Sequence, residues 1–129
     1  MSWLEDIGQY LDDNNIGTLE TDIFYRGFDE DEPNCIALYD QAGQPATLTN
    51  NKSVKLEKPE LGIRVRNESG DVSSDKADEI YNLLNLTFNK TIGTTRYKSI
   101  KAIAPPFYVS TTTPNNLVIY SINFEIRIG

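Results

Sequence analysis

Every even position from Val118 to Ile128 is apolar (Val118, Tyr120, Ile122, Phe124, Ile126, Ile128), and Ser121, Asn123, Glu125 and Arg127 between them are polar. Side chains on a strand point alternately to opposite faces, so this spacing predicts one buried and one wet face over the whole stretch. A helix would scatter the six, because its apolar stripe recurs at three and four. Burying six such side chains is worth roughly 1.5–3 kcal/mol each before conformational entropy is counted. Such a strand needs a sheet beside it and an apolar layer over it, and the rest of the chain is read as supplying both.

Two stretches have helical spacing. Ser2 to Asn14 carries Trp3, Leu4, Ile7 and Leu11 on one stripe, with Ser2 and Glu5 at capping-box spacing. Gly8 weakens its middle, and Asp12 and Asp13 oppose the dipole at its end, so the last turn is expected to fray. The second helix is predicted to begin at a cap supplied by Asp71, Ser73 or Ser74 and to run to about Phe88. Its stripe is Ala77, Ile80, Tyr81, Leu84 and Phe88, with Asp75, Asp78 and Glu79 at the favourable end of the dipole. Leu83 and Leu86 lie off that stripe and suggest a second contact.

The remaining extended pieces are Leu19–Phe28, the continuous apolar run CIALY at 35–39, Val54–Arg66 and Thr94–Ala104. In the last of these Ile100, Ala102 and Ala104 are expected on one side, Tyr97 and Ile103 on the other. Phe107–Val109 extends it beyond a bend at Pro105-Pro106, and Ser110–Asn116 reads as a hairpin loop. Asp40–Gly43 reads as a turn, and Gln44–Ser53, with Pro45 and two adjacent Asn, as a long loop. The order implies an α+β fold: a mixed or antiparallel sheet of four or five strands with two helices packed on one face. At 129 residues, one domain spanning 1–129 is expected.

Charge is the least even feature. The net charge is −7, which disfavours a dedicated nucleic-acid binder. Residues 1–40 hold eleven acids and one base (−10), whereas 41–129 hold eight acids and eleven bases (+3). The acids cluster at Asp29, Glu30, Asp31 and Glu32, ahead of Pro33, where mutual repulsion predicts an exposed loop. Candidate opposite charges are Lys52, Lys55 and Lys58, or Lys98 and Lys101. An acidic face on one copy meeting a basic face on the next would join copies head to tail, giving a ring or a filament.

No catalytic constellation emerges. Histidine is absent, and one cysteine, Cys35, excludes the usual zinc sites and any internal disulfide. Cys35 therefore reads as a small core residue, and a reducing compartment fits. No phosphate-cradling glycine loop is present, and the acidic run lacks the spaced ligands of a calcium loop. No secretion signal opens the chain and no run is long enough to span a membrane, so four Asn-x-Ser/Thr matches read as chance. No cofactor is expected. A small carboxylate-based metal-dependent enzyme or binding domain stands as a distant alternative.

Taken in order, these residues resemble a known family. A helix carrying Trp3 and Leu4 leads to a strand and an acidic loop ending in Pro33. Then come CIALYD with QAGQP, LGIRVRN, the helix SSDKADEIYNLL, TRYKSIKAI, a Pro-Pro and the closing INFEIRI. This resembles the small tail-completion proteins of long-tailed bacteriophages, sometimes labelled minor capsid proteins, whose best-understood members are tail terminators. The likeness covers nearly the whole chain and is one of pattern and order. It implies a ring, typically hexameric, that caps the tail tube and docks to the head connector. The implied partners are other copies of the chain, the tail-tube protein and the head-connector protein. DNA would pass through without specific binding, and no membrane is involved. The family implies a place in the virion tail after assembly in the host cytoplasm, and brings no catalytic residues. A head-closure protein or a tail-tube subunit is the alternative within the same setting.

Overall fold

A computed structural model describes residues 3–48, 55–113 and 115–128. Among them two helices, α1 (Trp3–Asp13) and α2 (Gly70–Leu84), lie with seven strands: β1 (Ile23–Tyr25), β2 (Cys35–Leu48), β3 (Lys55–Asn67), β4 (Thr87–Ile92), β5 (Thr95–Ala102), β6 (Phe107–Thr111) and β7 (Val118–Ile128). The sheet order is β1-β2-β3-β7-β5-β4, with β6 also paired to β7. β1 runs parallel to β2 and every other pairing is antiparallel, so the sheet is mixed and the α+β class holds.

β7 is the hub. One edge pairs with β3 from Glu57↔Ile128 to Asn67↔Val118. The other pairs with β5 over its second half and with β6 over its first. Ile122, Phe124 and Ile126 are completely or almost completely buried. They meet Leu61 and Ile63 of β3 and Ile36 and Leu38 of β2 on one face, which α1 covers with Leu4, Ile7 and Leu11 and α2 with Ala77, Ile80 and Leu84. Both helices thus lie over the same face. Cys35 to Leu38 are all buried, as an inner strand requires.

The sheet has more strands than the four or five expected, and local backbone explains the differences. The second helix stops at Leu84. Asn85 leaves the helical region while its N–H still bonds Tyr81 O, and Leu86 takes a left-handed φ of 57°. The chain then turns into β4, so Phe88 lies on a strand and not on the helix stripe. Ser69, rather than a residue further on, caps α2 by accepting from Val72 N. Ser73 instead is buried, donating to Val65 O (2.9 Å) and lying 3.1 Å from Val118 O, which pins α2 to β3 and β7.

Residues 40–48 continue β2 where a turn and loop were expected, with register shifts between Gln41 and Gln44 and between Gln44 and Thr47. The turn residues are absorbed as bulges. Expected loop residues 49–53 lie outside the described residues, as does the Ser2 cap. Leu19–Phe28 shortens to Ile23–Tyr25, because Thr18 O accepts from the N–H groups of Thr21, Asp22 and Ile23, and Glu20 and Arg26 adopt φ of 65° and 61°.

Two further corrections concern side-chain direction and a helix end. A register shift at Lys98 turns Tyr97 onto the face of Ile100, so both are fully buried instead of opposed. Beyond Ala102 the chain leaves β5, and Phe107–Thr111 is a strand of its own. The end of α1 is closed rather than frayed: Asn15 takes φ 60°, Asn15 N bonds Asp12 O and Ile16 N bonds Leu11 O, the pattern of a Schellman cap. Asp12 also accepts from Leu19 N at 3.0 Å.

Candidate interaction surfaces

The acidic loop is built on an arginine. Asp29 and Glu32 carbonyls each accept from one terminal nitrogen of Arg66 at 2.7 Å, and the guanidinium lies 4.5 Å over the Phe28 ring. Arg66 reaches the loop from β3 because Cys35 pairs with Arg66 across the ladder. A cation at the base of four adjacent carboxylates offsets part of their repulsion. Within the loop Asp29 caps Asp31 N (2.8 Å) and Glu32 accepts from Asn34 N (3.3 Å). Glu30 and Asp31 project into solvent.

Between this loop and the β6–β7 connection lies an open groove of about 750 Å³, lined by Glu30, Pro33, Arg66, Glu68, Thr112 and Leu117 among others. Cys35 lies beneath Arg66, with Sγ 3.6 Å from the guanidinium. Burial pushes its thiol pKa up, against the pull of Arg66, which keeps it a protonated core residue.

The candidate lysines are not beside the acidic loop. Lys52 lies outside the described residues. Lys55 and Lys58 are on β3, at the opposite end of that strand from Arg66. Lys98 is exposed at the β5 bulge, and Lys101, exposed on β5, stands 5.7 Å over the Phe88 ring and opposite Glu125. Six residues of strand, about 20 Å, separate Arg66 from Glu60, which is level with Glu125 and Lys101. Acidic and basic candidates therefore occupy opposite ends of the sheet within one copy.

Two features escaped the sequence. Asp6 is almost wholly buried on α1, and its Oδ2 accepts from Thr94 N (3.2 Å), Thr94 Oγ1 (3.1 Å) and Thr95 Oγ1 (2.9 Å), tying α1 to the β4–β5 turn. Only its offset from the apolar stripe by one position hinted at this. The second is an apolar rim of exposed residues on and flanking β4 and β6. Leu86, Phe88, Ile103, Phe107, Tyr108 and Val109 are all at least one third exposed, Leu86 the most at 62%. Patches of this kind mark interaction sites more often than they occur idly.

Among the described residues no group of three or more His, Cys, Asp or Glu is placed to hold a metal, and no helix is long and apolar enough to cross a membrane. What the fold does present is a helix-covered sheet with an acidic loop at one end and an apolar rim at another, the anatomy of a subunit that works through its surfaces. The model of the bacteriophage tail terminator proteins matches residues 10–129, and the chain belongs to that family. It is thus a structural protein of a phage tail. Among solved structures it is similar to a chain in the virion of a native gene transfer agent particle, at 10% identity over 81% of this chain and 77% of that one, with a TM-score of 0.56. A second solved chain shares 10% identity over 97% of this chain and 89% of its own length, with a TM-score of 0.58. At such identities the likeness is one of fold. No curated protein matches the sequence significantly.

Proposed function

We propose that this chain ends the growth of the tail tube by closing over it as a ring of identical copies, and that the ring then offers the joining surface for the head connector. Membership of the tail terminator family over residues 10–129 carries the reading. The surfaces support it. The exposed apolar residues Leu86, Ile103, Tyr108 and Val109 suit a permanent seat on the tube protein. Six copies would be the typical number.

In this arrangement Asp29, Glu30, Asp31 and Glu32 face the lumen, where like charge keeps passing DNA from sticking. Lys58, with Lys98 and Lys101, turns towards neighbouring subunits. The separation of the two groups along the sheet favours such a split. Assembly takes place in the host cytoplasm, without cofactor or membrane.

The experiment is complementation of a phage lacking this gene, scored by electron microscopy of the tails. Tails of uniform length capped by a ring are expected with the wild-type chain, and overlong tubes without it. Tails of normal length in its absence would sink the reading. Reversing Asp31→Lys together with Glu32→Lys should leave folding intact and lower the yield of infectious particles.

A further inference from the structure

The two layers of this molecule carry opposite charge. The outer surface of the helical layer exposes Glu5, Asp13, Asp71, Asp75, Asp78 and Glu79. The only base on these two helices is Lys76, half-buried, which donates to Ile16 O at 3.0 Å and lies 3.8 Å from Glu79. Among the described residues no helix lies on the other face of the sheet. Strand alternation from the buried set puts Lys58, Arg64, Arg66, Arg96, Lys101 and Arg127 there, against Glu60 and Glu125. Arg66 is taken up by the carbonyls of the acidic loop; the other five bases less two acids leave that face at +3, while six acids less one base leave the helical surface at −5.

The ion pairs Arg26–Asp40 and Lys76–Glu79 use none of the open-face bases. Aromatic rings are interleaved with them. Arg64 lies 5.6 Å over Tyr39, Lys101 is over Phe88, and Phe107 pairs with Ser121 in the row that contains Arg64. Ala37 and Ser121, small and already buried within the chain, flank Arg64 in that row.

We infer that copies of this chain associate layer on layer, the acidic outer surface of α1 and α2 of one copy seating on the open sheet face of the next. The occupant is a second copy because the same chain supplies both complementary surfaces. Covering the bare sheet with helices also completes the sandwich that a sheet with one naked face lacks. The two surfaces differ, so the contact is head to tail and repeats into a ring or a stack. Duplex DNA is the poorer fit, because the face mixes Glu60 and Glu125 among its bases and belongs to a chain of net charge −7.

The inference rests on the ring reading and assigns its surfaces. The test uses two charge-reversed forms of the full chain, with mass followed by sedimentation at low and high salt. Arg64→Glu with Arg127→Glu takes the sheet face from +3 to −1, and Asp75→Lys with Asp78→Lys and Glu79→Lys takes the helical face from −5 to +1. Wild-type protein should associate at low salt and dissociate as salt rises. Each variant alone should stay monomeric, and the mixture should form pairs, because the first keeps its helical surface and the second keeps its sheet face. Arg64→Gln with Arg127→Gln, which removes charge without adding repulsion, should weaken association less. Variants that associate like wild type, a mixture that stays monomeric, a wild-type chain monomeric throughout, or a sheet face that instead retains duplex DNA would each overturn the inference. If the variants associate normally while the wild-type gene still sets tail length, this assignment alone falls. If tail length does not depend on the gene, the ring reading falls.

Discussion

Replacing Asp6 tests how the chain locks its first helix. Its carboxylate is 1% exposed and takes three hydrogen bonds on Oδ2, while Oδ1 has no partner. Asp6→Ala strands one backbone N–H and two hydroxyls. With hydrogen bonds to charged groups worth about 1.5–3 kcal/mol, and partial relief from the exposure of Thr94, the loss should come to about 2–4 kcal/mol. Gly93 is the second half of the lock. Its φ is 61°, and a Cβ built there would collide with Oδ1 and Cγ of Asp6.

Gly93→Ala should therefore cost about 1–2 kcal/mol for the left-handed backbone plus the price of displacing Asp6. In an Asp6→Ala background the two worst contacts, with Oδ1 and Cγ, are gone, leaving the backbone cost and a tight approach of 3.0 Å to the Cβ at position 6. The double variant should be more stable than the sum of the single losses predicts by about 1 kcal/mol or more. Urea unfolding of the four forms, followed by far-UV circular dichroism, supplies the cycle. Strictly additive losses would refute the claim that Asp6 and Gly93 act as one unit.

Gly8→Ala raises helix propensity by about 1 kcal/mol, yet its Cβ would run into the Tyr25 hydroxyl; it should lower the urea midpoint, and adding Tyr25→Ala should relieve that penalty. Arg66→Ala removes the donor shared by the Asp29 and Glu32 carbonyls and should cost about 2–3 kcal/mol while exposing residues 29–33 to limited proteolysis. Arg66→Lys, keeping charge but losing the planar fork, should protect the loop only in part. Burial, helped by the nearby Asp6, pushes the Tyr97 phenol far above its ordinary value of about 10. A raised folded value stabilises fully below the unfolded one and is lost as pH climbs through it, so alkaline unfolding should set in above about pH 10. Tyr97→Phe should lose about 1 kcal/mol at neutral pH with the bond to Trp3 O and move the alkaline midpoint upward.

Much of the fold was legible because it follows from side-chain period. β7 has its expected bounds, and the stripes of both helices pack into the core apart from Phe88, which lies exposed on β4. What the sequence hid were backbone events that leave the composition unchanged. A left-handed Leu86 ends α2 a turn early, and a bulge at Lys98 swings Tyr97 into the core. Both need long-range partners to exist: Asn85 Oδ1 accepts from Ala102 N, and Tyr97 finds room under α1. The surfaces were less legible than the core. The acidic loop is obvious in the residue string, but nothing in the string pairs it with Arg66, thirty-odd residues away. The opposite charge of the two layers needs the alternation of three strands and the outward sides of two helices to be read together.

The edges of this sheet bear on how copies meet. β1 is three residues long, and β4 is interrupted by a left-handed Asn89 with exposed Lys90 beside it. β6 carries a register shift between Tyr108 and Ser110. Each is a feature that blunts strand addition by a further chain. The edge of β2 beyond Leu38, which β1 does not cover, is broken by two register shifts against β3, so backbone pairing is a poor route to a regular assembly. The faces remain: an acidic helical surface, a basic sheet surface and an apolar rim on and flanking β4 and β6. Charge complementarity across the first two fixes orientation and register, while the rim supplies apolar area that charge alone does not. A subunit built this way can repeat against itself through one pair of surfaces, Phe88 and Phe107 included, and still keep Leu86, Ile103, Tyr108 and Val109 for a different protein, which is what capping a tube demands.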